Sequence, residues 1–364
     1  MKFKLLAAAL LLALCSQTIL THAQSTNPTP QPEQGAIQQW SQEVLFPAAI
    51  RFRVTIALPP AQVSAAALTI KPETRSAVNV PIDLSSSIIV GGEITELAYV
   101  WQIPADNPPL LFKDITFGWQ VTAQSGQTAK VEDKFSFMDQ RTHWLQDFAI
   151  GSTLKLTFPD GKPTTSTVTP TYTRTGLDNL TTNLKQVTDL LSSNAGGLPN
   201  FNLLIYDITQ FPLCTKNAKG ESVATSADGG VEVVCTPTTA DQIFTASGYT
   251  ALKLSASKLG DIQSAVSDYV VQQAYAQTWS GKTIPEWFKS GLTDFYSPDS
   301  KAELSAPIFS AARTNALLPL DVMAQPPTTN PDFWRAQSYG LVVYIASQVG
   351  VDGLFKLAKN AGTA

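Results

Sequence analysis

Histidine is almost missing from this chain: His22 and His143 are the only two among 364 residues. His22 lies in an N-terminal segment that reads as removable, so the mature form keeps one, too few for a two-histidine zinc site. Cysteine is nearly as scarce, at three. Two of them, Cys214 and Cys235, stand too far apart to bind metal without partners, and no histidine lies near them. Positive charge is also short. Lys and Arg number 25 against 29 acidic residues, giving a net charge of −4 with no basic run, so nucleic acid is not an expected partner. After the N-terminal segment no apolar run reaches membrane-spanning length, so no transmembrane span is expected in the mature chain. There is no G-x-S-x-G elbow and no phosphate-cradling glycine loop.

The N-terminus carries the pattern of an export signal. Met1-Lys2-Phe3-Lys4 is basic, Leu5 to Leu14 is apolar but too short to span a bilayer, and Thr21-His22-Ala23 precedes Gln24 as a small-residue cleavage site. Residues 1–23 are therefore expected to be a signal peptide and the protein to be secreted or extracytoplasmic. Lipidation of Cys15 would add envelope association, though Leu14 occupies the place where such processing prefers a small side chain. From Ser25 to Gly35 the chain is rich in Pro, Gln, Thr and Asn, and residues 24–42 are expected to form a flexible linker. Removing Cys15 leaves Cys214 and Cys235 as an even pair, expected to close a disulfide in an oxidising compartment.

The expected fold class is α+β in two domains. Residues 43–139 carry short alternating runs (50–56, 67–70, 87–90, 97–103, 115–122 and 130–137) separated by Pro, Gly and Asn turns, with Tyr99, Trp101, Phe117 and Trp119 among them. That texture suggests an Ig-like antiparallel β-sandwich. Residues 145–364 read as mixed α/β and mainly helical. Strands are expected at 154–158 and 203–206, a stapled surface hairpin between the cysteines, and helices at 177–191, 261–278, 285–296 and 334–359, the last broken at Gly350. His143, beside Trp144, falls between the domains and reads as a junction packing or capping residue.

Ile284-Pro285-Glu286-Trp287-Phe288-Lys289-Ser290-Gly291-Leu292-Thr293-Asp294-Phe295-Tyr296 resembles the P-x-W-[LF]-x-E-G-[LF]-A-x-[YF] signature of gluzincin-type zinc metallopeptidases, the peptidase MA-like family. Trp287, Gly291 and Tyr296 keep the pattern, and Ser290 stands where the third zinc ligand would be. Upstream, Ser264 to Gln273 is similar to the H-E-x-x-H helix of that family, with Ser267 and Val271 in place of the histidines and Asp268 in place of the general-base glutamate. Val44 to Pro47, Gly118 to Val121 and Met138 to Trp144 resemble the β-domain of exported members and its junction. Ala336 to Ile345 and Gly350 to Leu354 resemble the closing helices. The resemblance spans nearly the whole mature chain and implies a gluzincin-like domain at residues 145–364.

It also implies that the family's chemistry is gone. Serine and valine cannot supply the imidazole lone pairs that zinc needs about 2 Å away. The expectation is an inactive pseudo-peptidase with no metal and no cofactor, binding a peptide or a cell-surface protein, with Tyr269, Trp287 and Tyr296 as apolar contacts. Other readings stay open. One is an active hydrolase, either metallopeptidase-like with zinc or metal-independent through Asp268, Glu286 and Asp294, the nearest carboxylates, although Glu286 suits the first turn of a helix and Asp294 reads as a solvated helix face. Asp268 shows no facing partner in the sequence. Ser267 and Ser290 would need His143 as a base, and an adhesion module working through the β-domain alone is a third possibility.

Overall fold

The computed structural model describes residues 36–361 apart from Ser87, 91–92, 164–171, 196–197, 256–257 and 298–300. The expected signal peptide, with Cys15 and His22, and the linker as far as residue 35 lie outside the described residues. Residues 37–42 do not belong to a linker. They begin a paired strand, because Ile37, Trp40, Val44 and Leu45 are apolar at spacings that reach the core.

The N-terminal half contains β1 (Ile37–Leu45), β2 (Ala49–Ile56), β3 (Val63–Pro72), β4 (Val78–Pro81), β5 (Ile88–Val90), β6 (Ile94–Gln102), β7 (Asp114–Ala123) and β8 (Thr128–Ser136). They form two antiparallel four-stranded sheets, in the orders β1-β2-β6-β5 and β4-β3-β7-β8. Alternation in β7 buries Ile115, Phe117, Trp119 and Val121 on one face, as a strand period of two requires. Across the interior Phe52 of β2 meets Phe117 of β7 and Phe135 of β8, ring centres 5.1 and 6.2 Å away.

The chain continues through β9 (Thr142–Ile150), β10 (Leu154–Pro163), α1 (Arg174–Ala195), β11 (Phe201–Asp207), β12 (Thr215–Lys216), β13 (Ser222–Thr225), β14 (Glu232–Val234), α2 (Pro237–Ala246) and β15 (Thr250–Leu254). Four helices close it: α3 (Leu259–Trp279), α4 (Glu286–Tyr296), α5 (Lys301–Thr314) and α6 (Pro331–Asn360). The third four-stranded sheet has the order β15-β11-β10-β9, parallel except for the β9–β10 pair. Its strand β11 carries the apolar run Leu203 to Tyr206 because both faces are covered there. Leu203 and Ile205 pack with Leu184, Val187, Val266 and Val270 of α1 and α3, while Leu204 and Tyr206 join the core that also fills the β-sandwich.

The two halves therefore share apolar packing. Phe46, between β1 and β2, lies 6.1 to 6.3 Å from the rings of Phe137, Tyr206 and Phe244. A polar clamp sits beside them: buried Asp139 receives the Tyr206 hydroxyl and both Nε and Nη2 of Arg141. His143 takes no part in this packing. It lies exposed on edge strand β9, and the junction contact comes from Trp144, whose Nε1 donates to the Asp139 carbonyl at 2.8 Å.

Cys214 and Cys235 are joined by a disulfide across the sheet β12-β13-β14. This excursion is more than a surface hairpin. Ala224, Val233 and Cys235 pack on Leu45, Ala48 and Ala49, and Asp228 at its tip accepts two bonds from Arg51 Nη1, at 2.7 and 2.9 Å. The Ser226 hydroxyl, then the Gly230 amide and Arg51, hold the Asp228 carboxyl well below the usual range.

Helix α6 departs from the expected absence of membrane-length apolar segments. An 18-residue window within it has mean hydropathy 1.4 and is 22% buried, so by length and composition alone it is apolar enough to span. Its first half nevertheless packs through Trp334, Ala336, Tyr339 and Val342. Gly350, at φ 76°, ends the first helical run as expected.

Candidate functional site

Helices α3, α4 and α6 bring the sequence-selected residues into one region and sort them. On α3, Val271 is fully buried in the helical core, and Ser267 is fully buried with its Oγ lacking a partner. On α4, Ser290 is half-buried. Gly291, next to it, is required by close approach: a Cβ there would stand 2.2 Å from the Ser338 carbonyl oxygen of α6. Two residues of the family-like motifs, the glycine of one helix and the serine of another, thus meet as packing partners.

Asp294, expected on a solvated helix face, is 1% exposed. Arg335 of α6 grips it through Nη2 at 2.5 Å from Oδ1 and Nε at 3.0 and 3.2 Å. This contact raises the affinity of Arg335 for its proton despite partial burial. Asp268 also gains the partners that its sequence context did not reveal. Burial pushes its carboxyl up to about 6, the neighbouring Asp294 charge adds to the rise, and Arg335 and the Thr293 hydroxyl oppose it. Water nevertheless reaches Asp268. Solvent at this exposed position screens the charges around the carboxylate.

The other selected residues point elsewhere. Glu286 pairs with Lys289 on the surface of α4 at 2.6 Å. Half-buried Tyr269 sets its ring edge-on to Phe201 of the sheet, and Trp287 lies edge-on to Phe288. Tyr296 is a core residue and offers no surface to a ligand. It is 1% exposed, stacked on Phe355, with its hydroxyl 2.6 Å from that of Tyr275.

A cleft of about 620 Å³ opens beside the ion pair, where the first turns of α3, α5 and α6 meet the end of α4. Arg335 lies in its wall, with Asp261, Glu303 and Asp332 around it. A larger recess, about 820 Å³, at one end of the β-sandwich lies far in sequence from these groups, between Leu58, Gln62, Ser125 and Lys130. Sequence reasoning missed Arg335 altogether. The one available signal was that Asp294 stands four residues after Ser290, on the same helix face.

The residues present do not fit a catalytic zinc. An isolated buried hydroxyl, an apolar valine and a half-buried serine supply no imidazole or carboxylate, and the nearby acids face a guanidinium. Among the described residues no three His, Cys, Asp or Glu side chains gather into a possible metal site.

Neither the scan against family models nor the search of curated proteins found a match. Among solved structures, a DUF4466 family protein from Parabacteroides merdae matches at 15% identity over 31% of this chain and 49% of its own length, with a TM-score of 0.18. The solution structure of AT1g01470 from Arabidopsis thaliana matches at 14% identity over 32% of this chain and 90% of its own, also at 0.18. The chain thus spans about half the length of the first of these, and similarity at this level carries no argument about fold or function.

Proposed function

We propose that this chain is an exported, non-catalytic relative of the gluzincin-type peptidases: an Ig-like sandwich followed by a gluzincin-like domain that binds a peptide or a cell-surface protein. The observation that carries the reading is the Asp294–Arg335 ion pair beside Asp268. A hydrolytic metal site exposes carboxylates to a cation it can exchange, whereas here the cation is a fixed side chain of the protein. Burial of Ser267 and Val271 supports the same reading. So does the disulfide, which suits an oxidising compartment.

A carboxylate-based hydrolase draws some support from the raised Asp268, but its second acid would have to be Asp294, already bound to Arg335 through two nitrogens. Metal analysis of the purified protein, with a protease assay on unfolded substrates, tests the proposal. The expected result is no stoichiometric zinc and no cleavage. Chelator-sensitive zinc at one per chain would overturn it. The Ser267→His, Val271→His, Ser290→Glu variant serves as the comparison.

A further inference from the structure

We infer that the loop between α5 and α6, with the adjoining face of α6, seats on a lipid bilayer, its apolar side chains entering the headgroup boundary of an uncharged membrane. The inference stands apart from the peptide-binding reading above and uses none of its residues.

Buried groups of the protein hold this loop in place. Gln337 of α6 clamps Leu318 twice: its amide nitrogen donates to the Leu318 carbonyl and its oxygen accepts the Leu318 amide, both at 2.7 Å. Met323 is fully buried, and its carbonyl accepts Trp334 Nε1 at 3.1 Å. Between these anchors Asp321 accepts the Val322 amide. The backbone is fixed, yet Leu317, Leu320 and Val322 stand in water. Such side chains, held outward by an ordered backbone, add nothing to the protein's own core and form a prepared contact surface. Helix α6 continues it. Ile308 of α5 packs against Gly340, so the end of α5 at Thr314 lies near the level of Tyr344. Tyr344 follows Gln337 by two turns and shares its face, and both Tyr344 and Val343 are exposed. They belong to the window of mean hydropathy 1.4 that is 22% buried. Because Trp334, Ala336, Tyr339 and Val342 fix the same helix to the protein, its contact with a bilayer is at the surface and not across it.

Area and charge choose the occupant. Leu317, Leu320, Val322, Val343 and Tyr344 are 38% to 64% exposed. At that exposure they present roughly 400 Å² of apolar surface, half of the ~800 Å² that each partner of a stable protein complex covers. The patch is therefore too small to hold a second copy or another protein by itself. A bilayer needs no matching shape, and tyrosine beside aliphatic side chains suits its boundary. Between Glu303 and Asp332 the charged residues are Arg313 and Asp321, of opposite sign, and none lies between Arg335 and Asp352. A neutral surface of this kind does not require anionic lipid.

The test uses the chain from Gln24 onward, which keeps every described residue and drops both Cys15 and the apolar run Leu5 to Leu14. It is floated with phosphatidylcholine vesicles, and with vesicles that also contain phosphatidylglycerol. Expected is flotation with both, unchanged between about 0.1 and 1 M salt and lowered about tenfold in the Leu317→Glu, Leu320→Glu variant. A fluorophore that brightens in apolar surroundings, attached to Leu320→Cys, gives a second reading that does not depend on the double variant. Its signal should rise with vesicles while the same label on Ser193→Cys, exposed on α1, stays flat. No flotation, flotation unchanged in the double variant, or a flat signal at position 320 would each overturn the inference. So would binding confined to phosphatidylglycerol and lost at high salt, which would be electrostatic. A dimer in sedimentation velocity that disappears in the double variant, without flotation, would overturn it in favour of a second copy.

Discussion

Removing Arg335 and removing Asp294 break one ion pair, yet the two losses differ. Asp294 is 1% exposed, whereas the Arg335 side chain is 41% exposed. Arg335→Met strands a buried carboxylate, which costs about 3 kcal/mol. Asp294→Asn leaves a guanidinium that water can reach, for a cost of about 1 kcal/mol. Urea unfolding of both variants at neutral pH should give that order, and equal losses would mean that burial does not govern the pair. Asp268 makes a separate prediction through pH. Its carboxyl titrates near 6 in the fold and near 3.9 in an unfolded chain. Between those values the folded state holds more protons, so this group's contribution to stability falls as pH rises and the penalty is complete above about 6. Asp268→Asn removes the penalty. Relative to the parent, the variant should gain stability between pH 4 and pH 7, and chemical denaturation at those two values checks the sign. Little of this was legible in the sequence. Asp294 and Arg335 lie 41 residues apart, and local patterning shows an acid on a helix without showing what faces it.

Helices were legible in proportion to how strongly one face is apolar. The expected runs at 177–191, 261–278, 285–296 and 334–359 correspond to α1, α3, α4 and α6, because each sends residues at helical spacing into the core. Helix α5 was missed. Pro307 lies inside it, and a proline in a weakly periodic segment reads as a break. Helix α2 begins Pro-Thr-Thr, which reads as a turn, although proline at the first helical position is favourable. Strand β9 was not anticipated, and only its start at Thr142 to Trp144 read as junction, because it alternates poorly, as an edge strand does. The crossing of α4 and α6 yields a prediction at this scale. Gly291→Ala places a methyl carbon 2.2 Å from the Ser338 oxygen and 2.6 Å from its carbonyl carbon, contacts made by backbone that cannot swing aside. The helices must separate, and a loss of about 3 kcal/mol is expected. Thermal unfolding of Gly291→Ala measures it, and a loss below about 0.5 kcal/mol, the range of ordinary surface substitutions, would show that the crossing relaxes freely.

The expected two-domain division is supported by patterning on each side of residue 140, but the packing across that boundary argues against independent folding. Phe46, Phe137, Tyr206 and Phe244 form one aromatic cluster drawn from both halves. The Ser247 hydroxyl accepts the Leu111 amide at 2.8 Å, and the disulfide-closed hairpin is tied to β2 through Arg51. A fragment ending near Gln140 would expose Phe46 and Phe137 and leave Asp139 without the Tyr206 hydroxyl. Each large side chain returned to water costs about 1.5 to 3 kcal/mol, a large share of a small domain's stability. The intact chain is therefore expected to unfold in one transition, with tryptophan fluorescence and far-ultraviolet dichroism changing together and the calorimetric enthalpy matching the van't Hoff value. Cys214→Ser with Cys235→Ser should lower the stability of that single transition by about 3 kcal/mol on the loop-entropy account. Two separated transitions in the parent would show that the shared cluster does not couple the halves. In that case the sandwich could act alone, as an adhesion module would require.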